Sequence, residues 1–251
     1  MTAAPLAAVT AWLDGYLRIG DVPDHPNAVN GLQVENSGSI LRLVAAVDAS
    51  LATINGLRRG DLLLTHHGML WDGNRPVTGR RYARIKALLD ADAALYSAHL
   101  PLDLHPAVGN NILLARGLGV EVTEPFGLHQ GVPIGVRGPL AIDRAELVAR
   151  VGALLQVSPM LIPGGPRTVA RIAVVSGAAG GMVLEARNAG CDTLLTGEGA
   201  HHTYFDAMEW GVNLLYAGHY ATETLGVKAL AEKTAQEFGL PWEFHDHPTG
   251  L

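Results

Sequence analysis

Leu63-Leu64-Thr65-His66-His67-Gly68, in the first half of the chain, is echoed in the second half by Leu194-Leu195-Thr196-Gly197-Glu198-Gly199. Each run is apolar up to a threonine and then breaks into polar residues and glycine, the pattern of a buried strand that ends at a turn. Each follows a segment that reads as strand, helix and an aspartate, Asp61 in the first case and Asp192 in the second. The echo continues downstream. Leu95-Tyr96-Ser97-Ala98-His99 is followed four residues after the histidine by Asp103, and Leu215-Tyr216-Ala217-Gly218-His219 is followed four residues after the histidine by Glu223. Strand-helix-strand grammar used twice in one chain predicts an α/β fold of two related, interlinked lobes, with mixed sheets flanked by helices.

Working outward, Leu6, Val9, Trp12, Leu13, Tyr16 and Leu17 recur at helical spacing and predict an opening amphipathic helix that stops near Gly20 and Pro23. Polar turn residues run on to Gly31. Leu43 to Val47 reads as a strand, Leu51 to Leu57 as a helix and Asp61 to Thr65 as the next strand, a βαβ unit. Helices are expected over Arg81–Asp90 and about Gly109–Leu118, with a strand over Ala93–Ala98 between them. Pro125, Gly127, Gly131, Pro133, Gly135 and Gly138 then crowd a segment that reads as a lobe boundary carrying short strands. Beyond it come a helix at Arg144–Leu155, a loop at Pro163–Pro166, a strand at Ile172–Val175, a helix at Met182–Ala189 and a strand at Thr193–Thr196. The first lobe is accordingly expected over residues 1–125, carrying His66, His67 and Asp103 and completed by 220–251. The second is expected over 126–219.

Composition fits this architecture: 48% of the 251 residues are hydrophobic and 17% charged, so a large core is available and disorder is not expected. Eighteen Lys and Arg against 24 Asp and Glu give a net charge of −6 with no long basic run, which disfavours a nucleic-acid partner. Cys191 is the sole cysteine, so no intramolecular disulfide forms and a Cys-based metal site is excluded. No secretory leader pattern opens the sequence and no stretch of about 18 apolar residues occurs, which predicts a cytoplasmic protein without a membrane partner.

The chemistry is concentrated at the predicted strand ends, where His66, His67, His99 and His219 fall, and open α/β sheets place their sites there. One such histidine is ordinarily a packing or hydrogen-bonding residue; four of them with Asp103 and Glu223 point to metal. Mixed imidazole and carboxylate donors suit Zn²⁺, Mn²⁺, Fe²⁺, Co²⁺ or Ni²⁺ better than Mg²⁺ or Ca²⁺. His219 and Glu223 are four apart, about 40 degrees round a helix, and can chelate together. His66 and His67 would face opposite ways in a continuing strand, but a turn at Gly68 lets both reach ions; the alternative is one inward and one solvated imidazole. His66, His67, Asp103, His219 and Glu223 are too many donors for one zinc ion and suit two divalent ions.

Glu198, His201 and His202 form another polar cluster after a strand, either lining the cavity as proton carriers or outer partners or simply opening a helix. His245 and His247 read as tail residues. Gly177, Gly180 and Gly181 lack the Lys-Ser/Thr ending of a phosphate loop, no Gly-X-Ser-X-Gly elbow exists, and Cys191 lies in a buried run. Arg75, Arg80, Arg81 and Arg84 have two readings, contacts to a substrate phosphate or a solvated helix face, and the second is the commoner role.

Taken together, Gly31-Leu32-Gln33-Val34, Thr65-His66-His67, His99 to Asp103 with Gly109-Asn110-Asn111, Thr196-Gly197-Glu198 with His201-His202, and Gly218-His219 with Glu223 resemble the dinuclear-metal-centre proteins related to NGG-one-interacting factor three. Members of that family carry the name GTP cyclohydrolase I type 2 homologue. Gly68 stands where the family has Pro, and Leu100-Pro101 replaces a Thr-containing stretch; neither change removes a ligand. The resemblance implies two interlinked α/β lobes, a toroidal homohexamer, and metal ligation by the five residues chosen above on chemical grounds. Two functions from different classes follow: a metal-dependent hydrolase of a small nucleotide-like substrate, or a non-catalytic metal-binding scaffold or regulatory ring.

Overall fold

Apolar runs such as Leu62-Leu63-Leu64 and Leu43 to Val47 are hydrophobic on both faces, and a strand of that kind is stable only inside a sheet covered on both sides. The structure, a computed structural model, describes residues 3–251 and bears this out. Its mixed sheets are flanked by helices, as α/β grammar predicts. Two units divide the chain: residues 1–102 with 226–247, and residues 103–225 with 248–251.

In the first unit a five-stranded sheet runs in the order Trp242–Phe244, Arg42–Asp48, Asp61–His67, Ala94–Ser97 and Gly31–Val34. The first four strands are parallel and the last is antiparallel. Register places Asp48 opposite His67 and Thr65 opposite Ser97, so the parallel strands finish together. Their carboxyl ends deliver Asp48, His66, His67 and His99 to one edge of the sheet. Helices Leu6–Leu17 and Gly79–Ala91 belong to this unit, and Leu88 of the latter is buried with Val44, Leu63 and Leu95.

The second unit has a six-stranded sheet ordered Glu124–His129, Val132–Asp143, Thr168–Val174, Thr193–Thr196, Asn213–Tyr216 and Met160–Pro163. Its three central-to-late strands, Thr168–Val174, Thr193–Thr196 and Asn213–Tyr216, are parallel, and Met160–Pro163 closes the edge antiparallel. Thus each unit contains three parallel strands followed by an antiparallel edge strand that precedes them in sequence. The sequence echo lies on this shared motif: Asp61–His67 corresponds to Thr193–Thr196, and Ala94–Ser97 to Asn213–Tyr216.

Segment 103–125, expected with the first lobe, falls in the second unit. Leu114, Ala115, Leu118 and Val120 are buried there with Leu140, Leu147, Val169 and Ile172, and that shared core outweighs chain continuity with the first unit. The glycine- and proline-rich stretch is a long hairpin of Glu124–His129 with Val132–Asp143. Its glycines mark close approach: a Cβ on Gly138 would lie 1.8 Å from the Glu121 carbonyl oxygen. Among the described residues no helix is long and apolar enough to cross a membrane.

Candidate metal centre

The first-unit cluster begins at the end of strand Asp61–His67. His66, His67 and His99 offer ring nitrogens that all lie within 4.8 Å of one another. His66 is fully buried, and its Nδ1 donates to the Ala98 carbonyl at 3.0 Å; a carbonyl oxygen only accepts, so this nitrogen carries a proton, and in the neutral ring the lone pair is on Nε2. His67 Nδ1 is 3.0 Å from Asp48 Oδ1, and His99 Nδ1 is 2.8 Å from Asp24 Oδ1. Trp71 stands edge-on to His99 and His67, with ring centroids at 4.9 and 6.1 Å.

Asp24 is a residue that no motif flagged. Its side chain is 6% exposed, and besides His99 it accepts from Asn30 Nδ2 at 2.8 Å and the Leu100 backbone N–H at 2.9 Å. Burial by itself raises a carboxyl pKa, but the hydrogen bond and charge of His99, with Asn30 and Leu100, overcome it and hold Asp24 at about 2.

In the second unit the turn Ser176–Gly177, just past strand Thr168–Val174, gathers the other predicted ligands. Ser176 Oγ donates to Asp103 Oδ1 at 3.0 Å, and Asn110 Nδ2 donates to the same oxygen at 2.9 Å. Glu223 is 2% exposed, and its Oε1 lies 3.3 Å from His219 Nε2. Glu198 Oε1 meets the other ring nitrogen of His219 at 2.7 Å. The Glu223 hydrogen bond and charge, with Glu198 assisting and burial opposing, push the His219 imidazole up to about 9. A cation replacing that proton would inherit a carboxylate-oriented imidazole beside a buried acid.

Glycine keeps this pocket open. Gly177 has φ +66°, and a Cβ there would sit 2.5 Å from Glu223 Oε1 and 3.4 Å from His219 Nε2. Gly177→Ala is expected to cost about 1–2 kcal/mol from the left-handed backbone alone, and to displace Glu223 from His219. Urea denaturation together with metal titration checks this; full stability and full uptake in the variant would show that the cradle is not needed.

The remaining predicted residues lie differently. His201 and His202 are exposed on the turn that opens helix Thr203–Trp210, with His202 Nε2 4.0 Å from Asp206. Cys191 is buried among Ala186, Leu194 and Ala207, and burial pushes its thiol up, which fits packing. Gly180 opens a short 3₁₀ turn at Gly180–Met182, ahead of helix Val183–Asn188.

A family model described as Duf34/NIF3 (NGG1p interacting factor 3) matches residues 7–249. The chain belongs to the Duf34/NIF3 family. This Duf34/NIF3 chain is 44% identical over 244 residues to a Deinococcus radiodurans protein named GTP cyclohydrolase 1 type 2 homolog, covering 96% of this chain and 92% of the relative. A Pyrococcus abyssi protein of the same name is 42% identical over 250 residues, covering 97% and 98%. Among solved structures, TTHA1606 from Thermus thermophilus superposes with a TM-score of 0.90 at 38% identity, covering 99% of this chain and 100% of that one. The Duf34/NIF3 chain thus carries groups of His and Glu that could hold a metal ion.

Proposed function

We propose that this Duf34/NIF3 protein binds two divalent first-row ions through His66, His67, Asp103, His219 and Glu223, and is a metal-dependent hydrolase of a small nucleotide-like substrate. One observation carries the metal reading. His66, His67, His99 and His219 each have Nδ1 engaged by an oxygen, from Ala98, Asp48, Asp24 and Glu198 respectively. Oxygen partners on Nδ1 fix the ring and favour the tautomer whose Nε2 is a donor to metal, the usual outer arrangement around ligating histidines. The two buried carboxylates, Asp103 and Glu223, supply the charge a cation requires in a low-dielectric site.

These residues would hold the ions, which when bound would supply Lewis-acid chemistry. Protein groups do the rest. Glu198 orients His219, Asp24 orients His99, and Ser176 and Asn110 hold Asp103 in one position. Proton movement falls to Glu198, with His201 and His202 on the exposed turn exchanging protons with solvent. The name those relatives carry, GTP cyclohydrolase 1 type 2 homolog, supports a nucleotide-like substrate for this chain. A toroidal homohexamer in the cytoplasm belongs to the same reading, and light scattering on the purified protein tests the assembly.

The deciding experiment is metal analysis of protein purified without chelators, with a screen of nucleotides and small cyclic amides on the same sample. Metal with turnover is the expected result. Metal without turnover of any of these, with rapid release to an apo-acceptor, would replace hydrolysis by the scaffold function.

A further inference from the structure

Edge strand Gly31–Val34 breaks register with Ala94–Ser97 at Gln33. Leu32 lies opposite Tyr96 and Val34 opposite Leu95, so Gln33 is an extra residue in the ladder, a bulge. Bulges take one residue out of the pairing and re-aim its side chain, and they recur at sheet edges beside functional sites. Here the side chain makes three hydrogen bonds to two other segments. Its Nε2 donates to the carbonyls of Ala28 and Val29 at 3.1 and 2.9 Å, and its Oε1 accepts from the Met69 N–H at 2.9 Å. Reversing the amide would set an oxygen against two carbonyls and N–H against N–H, so the three bonds select one orientation.

Those two segments carry the histidine cluster of the first unit between them. Met69 comes just after His66 and His67. Ala28 and Val29 belong to the loop from Asp24 to Asn30, which grips His99 at two points: Asp24 Oδ1 is 2.8 Å from its Nδ1, and Asn30 Oδ1 accepts its backbone N–H at 2.8 Å. Asn30 Nδ2 donates to Asp24 at 2.8 Å and joins the two grips. The last register pair between the histidine-bearing strands is Thr65 with Ser97, so the ladder ends before His67 and His99. Placing those rings relative to each other falls to the segments beyond it, which Gln33 connects.

The neighbouring chain is shaped around this connection. Val29 has φ +46°, a left-handed backbone that β-branched residues rarely adopt, and its carbonyl is one of those that Gln33 holds. Gly68 is buried and its backbone is not left-handed, so space and not conformation calls for glycine. A Cβ at position 68 would lie 2.2 Å from Gln33 Nε2 and 2.5 Å from Oε1.

We propose that Gln33 is a positioning residue for the His66, His67 and His99 cluster: from the bulge, its amide locks the loop that grips His99 to the segment just after His66 and His67, and Gly68 leaves room for it. The value of that lock to a bound ion rests on the metal reading above; the lock itself does not.

Hydrogen exchange of the metal-free, full-length protein, read by mass spectrometry, tests the lock. Q33M keeps the length of the side chain without its amide and is expected to raise exchange about tenfold in both 24–31 and 66–71, the scale of lost hydrogen bonds. G68A, which crowds the amide, is expected to raise exchange in the same two segments and serves if Q33M does not fold. Q33A vacates the space, so adding G68A to it is expected to change little further, a coupling that independent sites would not show. Cobalt(II) titration followed by visible absorption is the second readout. Q33M is expected to bind the ion about tenfold or more weakly, with an altered absorption band, as loss of support around ligating histidines implies; a residue serving overall stability alone would leave the band unmoved. Unchanged exchange in Q33M, full additivity of Q33A and G68A, or wild-type cobalt affinity and spectrum in Q33M would each overturn the proposal. Absence of cobalt uptake by wild type would remove the metal reading, and the exchange result would still decide the lock.

Discussion

Glu223→Ala is expected to lower the divalent metal content from about two ions per chain at saturation to one or none. Glu223 is the buried acid that already contacts an imidazole, at 3.3 Å from His219, so it would supply both a donor atom and negative charge to a cation held there. Removing it would take away that charge and that donor together. Elemental analysis after metal loading and gel filtration reads the change, and Glu223→Gln separates charge from shape, since the amide fills the space without the negative charge. Occupancy that stays at the wild-type level in both variants would remove Glu223 from the ligand set.

The largest effect on folding is expected at Asp24. Asp24→Ala strands a His99 ring nitrogen, an Asn30 amide and the Leu100 N–H at once, which is expected to cost about 3–5 kcal/mol, as breaking a buried charged pair does. The pH dependence has a definite sign. The folded value of about 2 lies below the ordinary 3.8, so the carboxylate's contribution is fully present above pH 4 and is lost as pH falls through 2. Urea midpoints of wild type and Asp24→Asn measured across that acid window should converge toward its lower end. Parallel curves across the window would mean that Asp24 is not held ionised by these partners.

Much of this architecture was legible because strand ends and periodic helices are local signals. Arg144–Leu155 is a helix with the expected bounds, and the opening helix, expected to stop near Gly20 and Pro23, runs over Leu6–Leu17, each set by its own amphipathic spacing. The edge strands Gly31–Val34 and Met160–Pro163 were not legible. Both are antiparallel additions whose partners, Ala94–Ser97 and Asn213–Tyr216, lie far along the chain, so no local pattern marks either. The stretch after residue 123, expected to carry short strands at a lobe boundary, is a long hairpin inside one unit, and its glycines mark close backbone approach.

The candidate site divides in the same way. His66, His67, His219, Asp103 and Glu223 announced themselves by spacing, and Glu198 by its place in the echo. Asp24 and Asp48 had no local mark: each becomes meaningful only because the fold brings it to an imidazole nitrogen, at 2.8 and 3.0 Å.

Helix Thr224–Phe238 begins in one unit and continues in the other, and strand Trp242–Phe244 then pairs with Arg42–Asp48 near the start of the chain. A gene fragment cut at residue 102 would therefore express a sheet whose Arg42–Asp48 flank lacks its neighbour, an open border that invites aggregation. Deleting the C-terminal twenty or so residues would injure the N-terminal half of the protein first, and a circular permutant that makes residues 226–247 precede residue 3 is the economical way to produce that half on its own.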